Sequence, residues 1–423
     1  MPNWIKNFEQ LAITKERKDA LEIIEAGLSA ISTKKAVHDN VRIDGDKLII
    51  SGNEIDLNRY KSIKVIGFGK VACEAAGALE EVLGDKIKAG AVIDINKGTC
   101  SIIQMYSGTH PRPSSQNVEA TKHIVELSRG ISAEDLVLVI ISGGGSSLLC
   151  YPESECADND RLYQDFLSTG APIQELNLVR KHLSLLKGGG LAKMFYPAKI
   201  VGLIFCDVPG GHSNLVASGP TFKDVSTAEE ADAILTKYNI RDHYNLTETP
   251  KEDIFFENVL NITLASNELA LNAMKKQAET LGYSAKIISS EIYDDMDATL
   301  AKLQQETSVD VVLAGGEPSL IIKTSGGSGG RNQYLTLKAL RTIKQNELMI
   351  GIASDGIDNG PMAGAIADSA AKEATTAAGL DIDEHIYRYD AQTFFEKIGS
   401  NIFTGQTGSN VSDLMLILRK KNG

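Results

Sequence analysis

The sequence predicts an α/β fold in two domains, and three observations carry that expectation. Short apolar runs of strand length recur along the 423 residues, separated by stretches with helical spacing. The runs are continuous rather than alternating, the pattern of strands buried on both faces of a parallel sheet with helical crossovers. Glycine-rich or acidic turns follow the runs again and again, and open parallel sheets bind their ligands outside such strand ends.

The elements follow in order. Residues 8–32 read as one amphipathic helix, with Phe8, Leu11, Leu21, Ile24 and Leu28 near one face. The strand candidates are Lys64–Gly67, Ala91–Ile95, Leu136–Ile141, Ile200–Phe205, Ile262–Ala265, Val309–Ala314 and Leu348–Ala353. A last run, Leu414–Leu418, is expected to close the second sheet. The polar stretch Lys237–Asp253 separates the halves and sets the expected domains at 1–245, including the N-terminal helix, and 246–423. At about 150 residues per domain, the length agrees with two or three domains.

Composition narrows the function. Hydrophobic residues at 43% and charged residues at 23% are those of an ordinary globular protein. A net charge of −12 argues against a polyanion partner such as nucleic acid. No apolar run reaches the roughly 18 residues of a membrane-spanning helix, and MPNWIKNFEQ lacks a signal-peptide core. The five cysteines form no CxxC pair. A reduced, cytoplasmic protein without a membrane partner is expected.

The turns carry the chemistry. Gly67-Phe68-Gly69-Lys70-Val71-Ala72 fits GxGxxA, and Asp94 ends the next strand 27 residues after Gly67. This leaves a nicotinamide enzyme open. Lys70, however, puts a positive charge against the helix dipole, which is understandable if it meets an anion. Ser142-Gly143-Gly144-Gly145-Ser146-Ser147 is an anion-nest candidate, assisted by the helix that follows. It is not a Walker A loop, because position 64 is lysine where that pattern needs glycine. Asp207, in CDVPGGH, sits at the end of a buried strand, where a carboxylate must be paired, hydrated or metal-bound. VVLAGGEPS ends a further strand at Ser319.

Ser325–Asn332 is the most glycine-dense stretch and presents Arg331 at a helix start, suited to charge stabilisation. Ser328 also satisfies GxSxG, but His385, the only later histidine, lies in a polar stretch, so a hydrolase is disfavoured. Asp355 and Asp358 form a D-G-I-D turn that suits either Mg²⁺ or a helix cap. The seven histidines show no metal-ligand spacing.

Taken together, VIGFGKVACEAA, THPRPS, VIISGGGSSLL, VRKHLSLLKGGGLA, DVPGG with ASGPT, GGEPS, GGRNQ, ASDGIDNGP and TGSNVSDL stand in the order seen in class II glycerate kinases. The sequence resembles this glycerate 2-kinase, or MOFRL, family from about Leu21 to the C-terminus. The resemblance implies two Rossmann-like domains with mostly parallel sheets and an active-site cleft between them; because the candidate charges come from both domains, domain closure is expected to assemble the site. It implies ATP- and Mg²⁺-dependent phosphorylation of D-glycerate at the 2-hydroxyl, giving 2-phosphoglycerate.

Residue by residue, the resemblance assigns catalysis to Lys70, Asp207 and Arg331. The glycine-rich turns themselves supply the cofactor-binding candidates, Ser142, Gly143, Gly144, Gly145, Ser146 and Ser147 with Gly327 and Gly329. Arg180, Lys181, Glu317 and Asn410 are the substrate-binding candidates, and Asp207 and Asp355 the metal candidates. Some relatives have been labelled hydroxypyruvate reductases, which keeps an NAD(P)H-dependent alternative open, as does a kinase for another short 2-hydroxy acid. A homodimer is left open. Three places depart from the family pattern and bear on metal and acceptor: Gly211-His212 after DVPG, Asn359–Met362 before Ala363, and Tyr334 after GGRNQ.

Overall fold

The computed structural model describes residues 4–169, 172–323 and 326–419. All eight apolar runs form strands. A small antiparallel sheet comes first, from β1 (Val41–Asp44), β2 (Lys47–Ile50) and β3 (Asn53–Asp56). The next six strands are β4 (Ser62–Phe68), β5 (Ile87–Asp94), β6 (Ile103–Ser107), β7 (Asp135–Ser142), β8 (Lys199–Phe205) and β9 (Val259–Ala265). They form one sheet in the order β6-β5-β4-β7-β8-β9. The pairings β6–β5, β5–β4, β4–β7 and β7–β8 are parallel. Renumbered within the sheet, this is 3-2-1-4-5-6, the Rossmann order. Every residue of β7 is buried, as a central strand covered on both faces requires.

The remaining strands are β10 (Ala285–Ile292), β11 (Val311–Gly316), β12 (Glu347–Ala353), β13 (Gly364–Ala367), β14 (Asn401–Ile402) and β15 (Asp413–Arg419). Their order is β10-β11-β15-β12-β13-β14. This sheet is mixed rather than mostly parallel: β10–β11 is parallel, and the other four pairings are antiparallel. The last strand does not close an edge. It is inserted between β11 and β12, and its apolar run lies at the sheet's centre.

The expected helix 8–32 is broken. Phe8–Leu11 and Lys15–Ile31 are separate helices, because the Thr14 hydroxyl accepts the N–H of Arg17 and starts the second one afresh.

The chain divides into two compact units. The first-sheet unit comprises 36–206 and 212–264; the second-sheet unit comprises 1–35, 207–211 and 265–423. This differs from the expected 1–245 and 246–423 in three respects. The N-terminal helix joins the second-sheet unit, where Gly27 abuts Met274 and Arg17 makes a buried two-pronged ion pair with Asp368, both bonds at 2.7 Å. Residues 207–211 also belong there. The final crossing falls at 264/265, because the polar stretch Lys237–Asp253 lies inside the first unit, where Tyr244 packs into a buried cluster, and is not a linker.

Candidate active site

In the first-sheet unit the chain order reverses between β4 and β7. Open α/β sheets bind ligands at such a switch point, outside the carboxyl ends of the strands. Both glycine turns singled out in the sequence emerge there. The Lys70 N–H donates to the Gly143 carbonyl at 2.9 Å, so the two turns are joined. Gly69 has φ +122°, and a Cβ there would lie 2.1 Å from Ser142 Oγ, so no other residue fits without displacing the second turn. The Lys70 side chain is half-buried and has no ion-pair or hydrogen-bond partner among the described residues.

The second turn differs from its expectation in two ways. The helix after it is one turn long, Gly145–Leu148, and so supplies little dipole. The three serine hydroxyls each have a partner within the protein. Ser142 Oγ lies 3.4 Å from the Val71 N–H, Ser146 Oγ meets Ser218 Oγ at 2.9 Å, and Ser147 Oγ donates to the Gly144 carbonyl at 3.1 Å. The glycine backbone and Lys70 join these hydroxyls as the groups the turn presents to an anion.

Arg180 and Lys181 are adjacent but not equivalent. Lys181 pairs with buried Asp224 at 2.8 Å, so its charge is already balanced within the protein. Arg180 meets only neutral amides, Asn159 Oδ1 at 3.2 Å and Asn177 Oδ1 at 3.1 Å, and burial lowers its pKa. A residue the sequence reading left without a role joins it. His110, in THPRPS, is within electrostatic reach of both Lys70 and Arg180. Partial burial and then these two cations push its pKa down to about 4, so the ring is neutral.

Asp94, the ribose-binding candidate of the dinucleotide alternative, is engaged within the protein. Its carboxylate is buried and accepts the N–H groups of Cys73 and Asn96, both at 3.0 Å. It caps the Ala72–Leu83 helix and is not presented to a ribose.

The second-sheet unit holds a cavity of about 740 Å³. Five of the assigned site candidates line it: Glu317, Gly329, Arg331, Asp355 and Asn410. Arg331 Nη2 lies 3.3 Å from Glu317 Oε1, and its Nε donates to Asp413 Oδ2. Asp413 was missed, although an acid beginning the apolar run of β15 obeys the argument applied to Asp207. Burial pushes the Asp413 carboxyl up to about 7, against the pull of Arg331. Burial also opposes the Arg331 charge, but Asp413 and Glu317 more than offset it and raise its pKa.

Asp358 proves to be a helix cap. It accepts the backbone N–H groups of Asn332 at 3.1 Å and Gln333 at 2.8 Å, at the start of the Arg331–Thr342 helix. Asp355 folds back on its own turn, accepting the Ile357 N–H at 3.0 Å through one oxygen. Gly327 does not line the cavity; its close neighbours are the carbonyls of Arg388 and Tyr389, 2.2 Å from where a Cβ would be. Ser325 lies outside the described residues. Ser328 hydrogen-bonds Asp390 at 2.9 Å and Thr393 at 3.0 Å, not a histidine, so the GxSxG match is not a nucleophile elbow.

Asp207 is half-buried beyond β8, in the short segment that belongs to the second-sheet unit. Among the described residues no group of three or more His, Cys, Asp or Glu side chains could hold a metal by itself. Asp358 and Asp413 are already engaged. The remaining donor capacity of Asp355 fits a cation carried in mainly by phosphate oxygens, as Mg²⁺ commonly is, with one or two protein carboxylates.

Comparison with known proteins decides the family. The domain of unknown function DUF4147 matches residues 19–248, and the MOFRL family matches residues 310–413. A glycerate 2-kinase of Pyrococcus horikoshii is 33% identical over 96% of this chain and 98% of its own length. This chain belongs to the glycerate 2-kinase family. A D-glycerate 2-kinase of Thermotoga maritima is 31% identical, covering 95% of this chain and 97% of its own. The human glycerate kinase is 30% identical, covering 95% and 92%. A crystal structure of a glycerate kinase from Thermotoga maritima superposes with a TM-score of 0.84 at 29% identity, covering 95% of this chain and 99% of that one.

Within the glycerate 2-kinase family the three departures acquire physical reasons. Gly211 has φ +69°, and a Cβ there would lie 2.9 Å from Glu268 Oε2, so an acidic residue would be both strained and repelled. Asn359 has φ +52°, a conformation asparagine tolerates, and its Nδ2 donates to the Gly329 carbonyl at 3.2 Å. Tyr334 is buried and stacks on Tyr389 at 5.2 Å between ring centres. It does not line the cavity.

Proposed function

We propose that this protein is a cytoplasmic kinase that transfers the γ-phosphoryl group of ATP, with Mg²⁺, to the 2-hydroxyl of D-glycerate, giving 2-phosphoglycerate and ADP. The observation that carries the reading is Lys70, an ammonium without a counter-ion among the described residues, beside a glycine turn at the sheet's switch point. The named activities of the relatives support the acceptor.

Phosphoryl transfer asks for positioning and charge stabilisation more than covalent chemistry. In this reading the backbone of the Gly143–Gly145 turn and Lys70 hold ATP phosphates. Lys70 and Arg331 neutralise charge on the transferring group. The glycerate 2-oxygen attacks the γ-phosphorus, the bond to the β,γ-bridging oxygen breaks, ADP leaves, and the hydroxyl proton passes to Asp207. Glu317 and Asp413 fix the Arg331 guanidinium. Asn410 and Arg180 bind the acceptor in this reading. Mg²⁺, when bound, would be held by Asp355 and Asp207 and would screen phosphate charge.

The test is ADP release with ATP, Mg²⁺ and D-glycerate, with the phosphorylated product assigned by ³¹P NMR. Formation of 2-phosphoglycerate is expected. The 3-phospho isomer would overturn the regiochemistry, and turnover only with another short 2-hydroxy acid would overturn the acceptor.

A further inference from the structure

The THPRPS segment is built against the glycine turn. Asn117 is fully buried and serves both. Its Nδ2 donates to the Thr109 carbonyl at 2.9 Å and the Ser147 carbonyl at 2.8 Å, and its Oδ1 accepts the Thr109 N–H at 2.8 Å. The residue that follows this clamp is His110, which is exposed. A Cβ at Gly144 would stand 3.1 Å from His110 Cδ2, 3.3 Å from His110 Nε2 and 3.2 Å from Lys70 Cγ. Imidazole and lysine stem therefore flank the same glycine. The side chains of His110 and Lys70 have no hydrogen-bond or ion-pair partner among the described residues, and Arg180 has no carboxylate partner. Two nitrogen-bearing side chains flanking one turn, with Arg180 in electrostatic reach of the histidine, make a site for an oxyanion.

We propose that His110 is a further ligand of the oxyanion bound at this turn, with Asn117 as the residue that positions it. This rests on the assignment of Lys70 and the glycine turn to ligand phosphates made above, and it adds a hydrogen-bonding group whose protonation follows binding. The charged groups facing the ring are Lys70 and Arg180, and after burial itself they add to the preference for the neutral form in the free protein. A bound anion offsets them and favours the imidazolium. Binding near pH 6 is then accompanied by proton uptake, as expected for a histidine moved towards its ordinary range.

The test is calorimetric titration of the full chain with pyrophosphate alone and, separately, with D-glycerate alone. Each is run near pH 6, where a histidine titrates, in two buffers of different ionisation heat. His110→Ala is expected to weaken binding about tenfold, the scale of one hydrogen bond to a charged group, and to abolish the proton uptake. His110→Asn should restore part of the affinity and none of the uptake; if the alanine variant does not fold, this variant carries the test. An effect on pyrophosphate assigns the subsite to the donor's phosphates, and an effect on D-glycerate assigns it to the acceptor's carboxylate. Folded variants with wild-type affinity and uptake for both would overturn the proposal. The ADP-release assay on the wild type is read separately. Turnover with an indifferent His110 sinks only this inference, and His110-dependent pyrophosphate binding without glycerate turnover sinks only the kinase reading.

Discussion

The carboxylate of Asp358 accepts the backbone N–H of Gln333 at 2.8 Å, so the aspartate turn caps the helix whose first residue is Arg331. The cap is tight. A Cβ on Gly330 would lie 2.2 Å from Asp358 Oδ1, which explains why glycine precedes the arginine. Two elements about 25 residues apart thus hold one guanidinium at the cavity wall.

Removing that cap should cost both stability and rate. Asp358→Ala strands the buried N–H groups of Asn332 and Gln333, at about 1–3 kcal/mol for each unsatisfied group. The melting temperature should fall by several degrees, and kcat should fall because Arg331 loses its anchor. Asp358→Asn keeps one acceptor oxygen and should lose less of both. An unchanged thermal melt for the alanine variant would show that the cap carries no load.

The cationic side chains should separate by role. Lys70→Ala and Arg331→Ala are each expected to lower kcat by at least ~100-fold, the scale of one preorganised electrostatic group. Lys181→Ala should instead act on stability, because it leaves Asp224 buried without its nearest cation. Steady-state kinetics beside thermal melts distinguishes the two. Near-wild-type turnover in either of the first pair would remove that residue from the mechanism.

Asp413 should leave a signature in the pH dependence of stability. Its carboxyl is shifted by burial from 3.8 in an exposed chain to about 7 in the folded one. Between those values the folded chain still holds a proton that the unfolded chain has released. The Asp413 contribution therefore makes stability fall as pH rises across that window, and it becomes level above the folded value. Asp413→Asn cannot titrate and should flatten this part of the profile, measured as denaturant midpoints from about pH 4.5 to 7. Parallel wild-type and variant profiles would contradict the assignment.

Much of this was legible without coordinates. Continuous apolar runs located eight of the fifteen strands, since a strand buried on both faces has nowhere to put a polar residue. Glycine clusters marked both turns at the switch point, because close backbone approach excludes a side chain. Lys70 stood out as a charge set against a helix dipole. Other features were not legible. Thr14 interrupts an amphipathic pattern without changing its period, so the break after Leu11 leaves no mark on spacing.

What the sequence determined by itself is local and compositional: the strands, the turns that need glycine, and the family to which nine ordered motifs belong. What only the tertiary structure decided is partnership. Arg180 and Lys181 are neighbours in sequence, yet one is neutralised by Asp224, 43 residues away, and the other is not. Asp355 and Asp358 share one turn, yet only the second caps a helix. His110 acquires its surroundings from Lys70 and Gly144, 40 and 34 residues away. A side chain's charge state and availability depend on which groups reach it through space, and that is fixed by the packing of elements far apart along the chain.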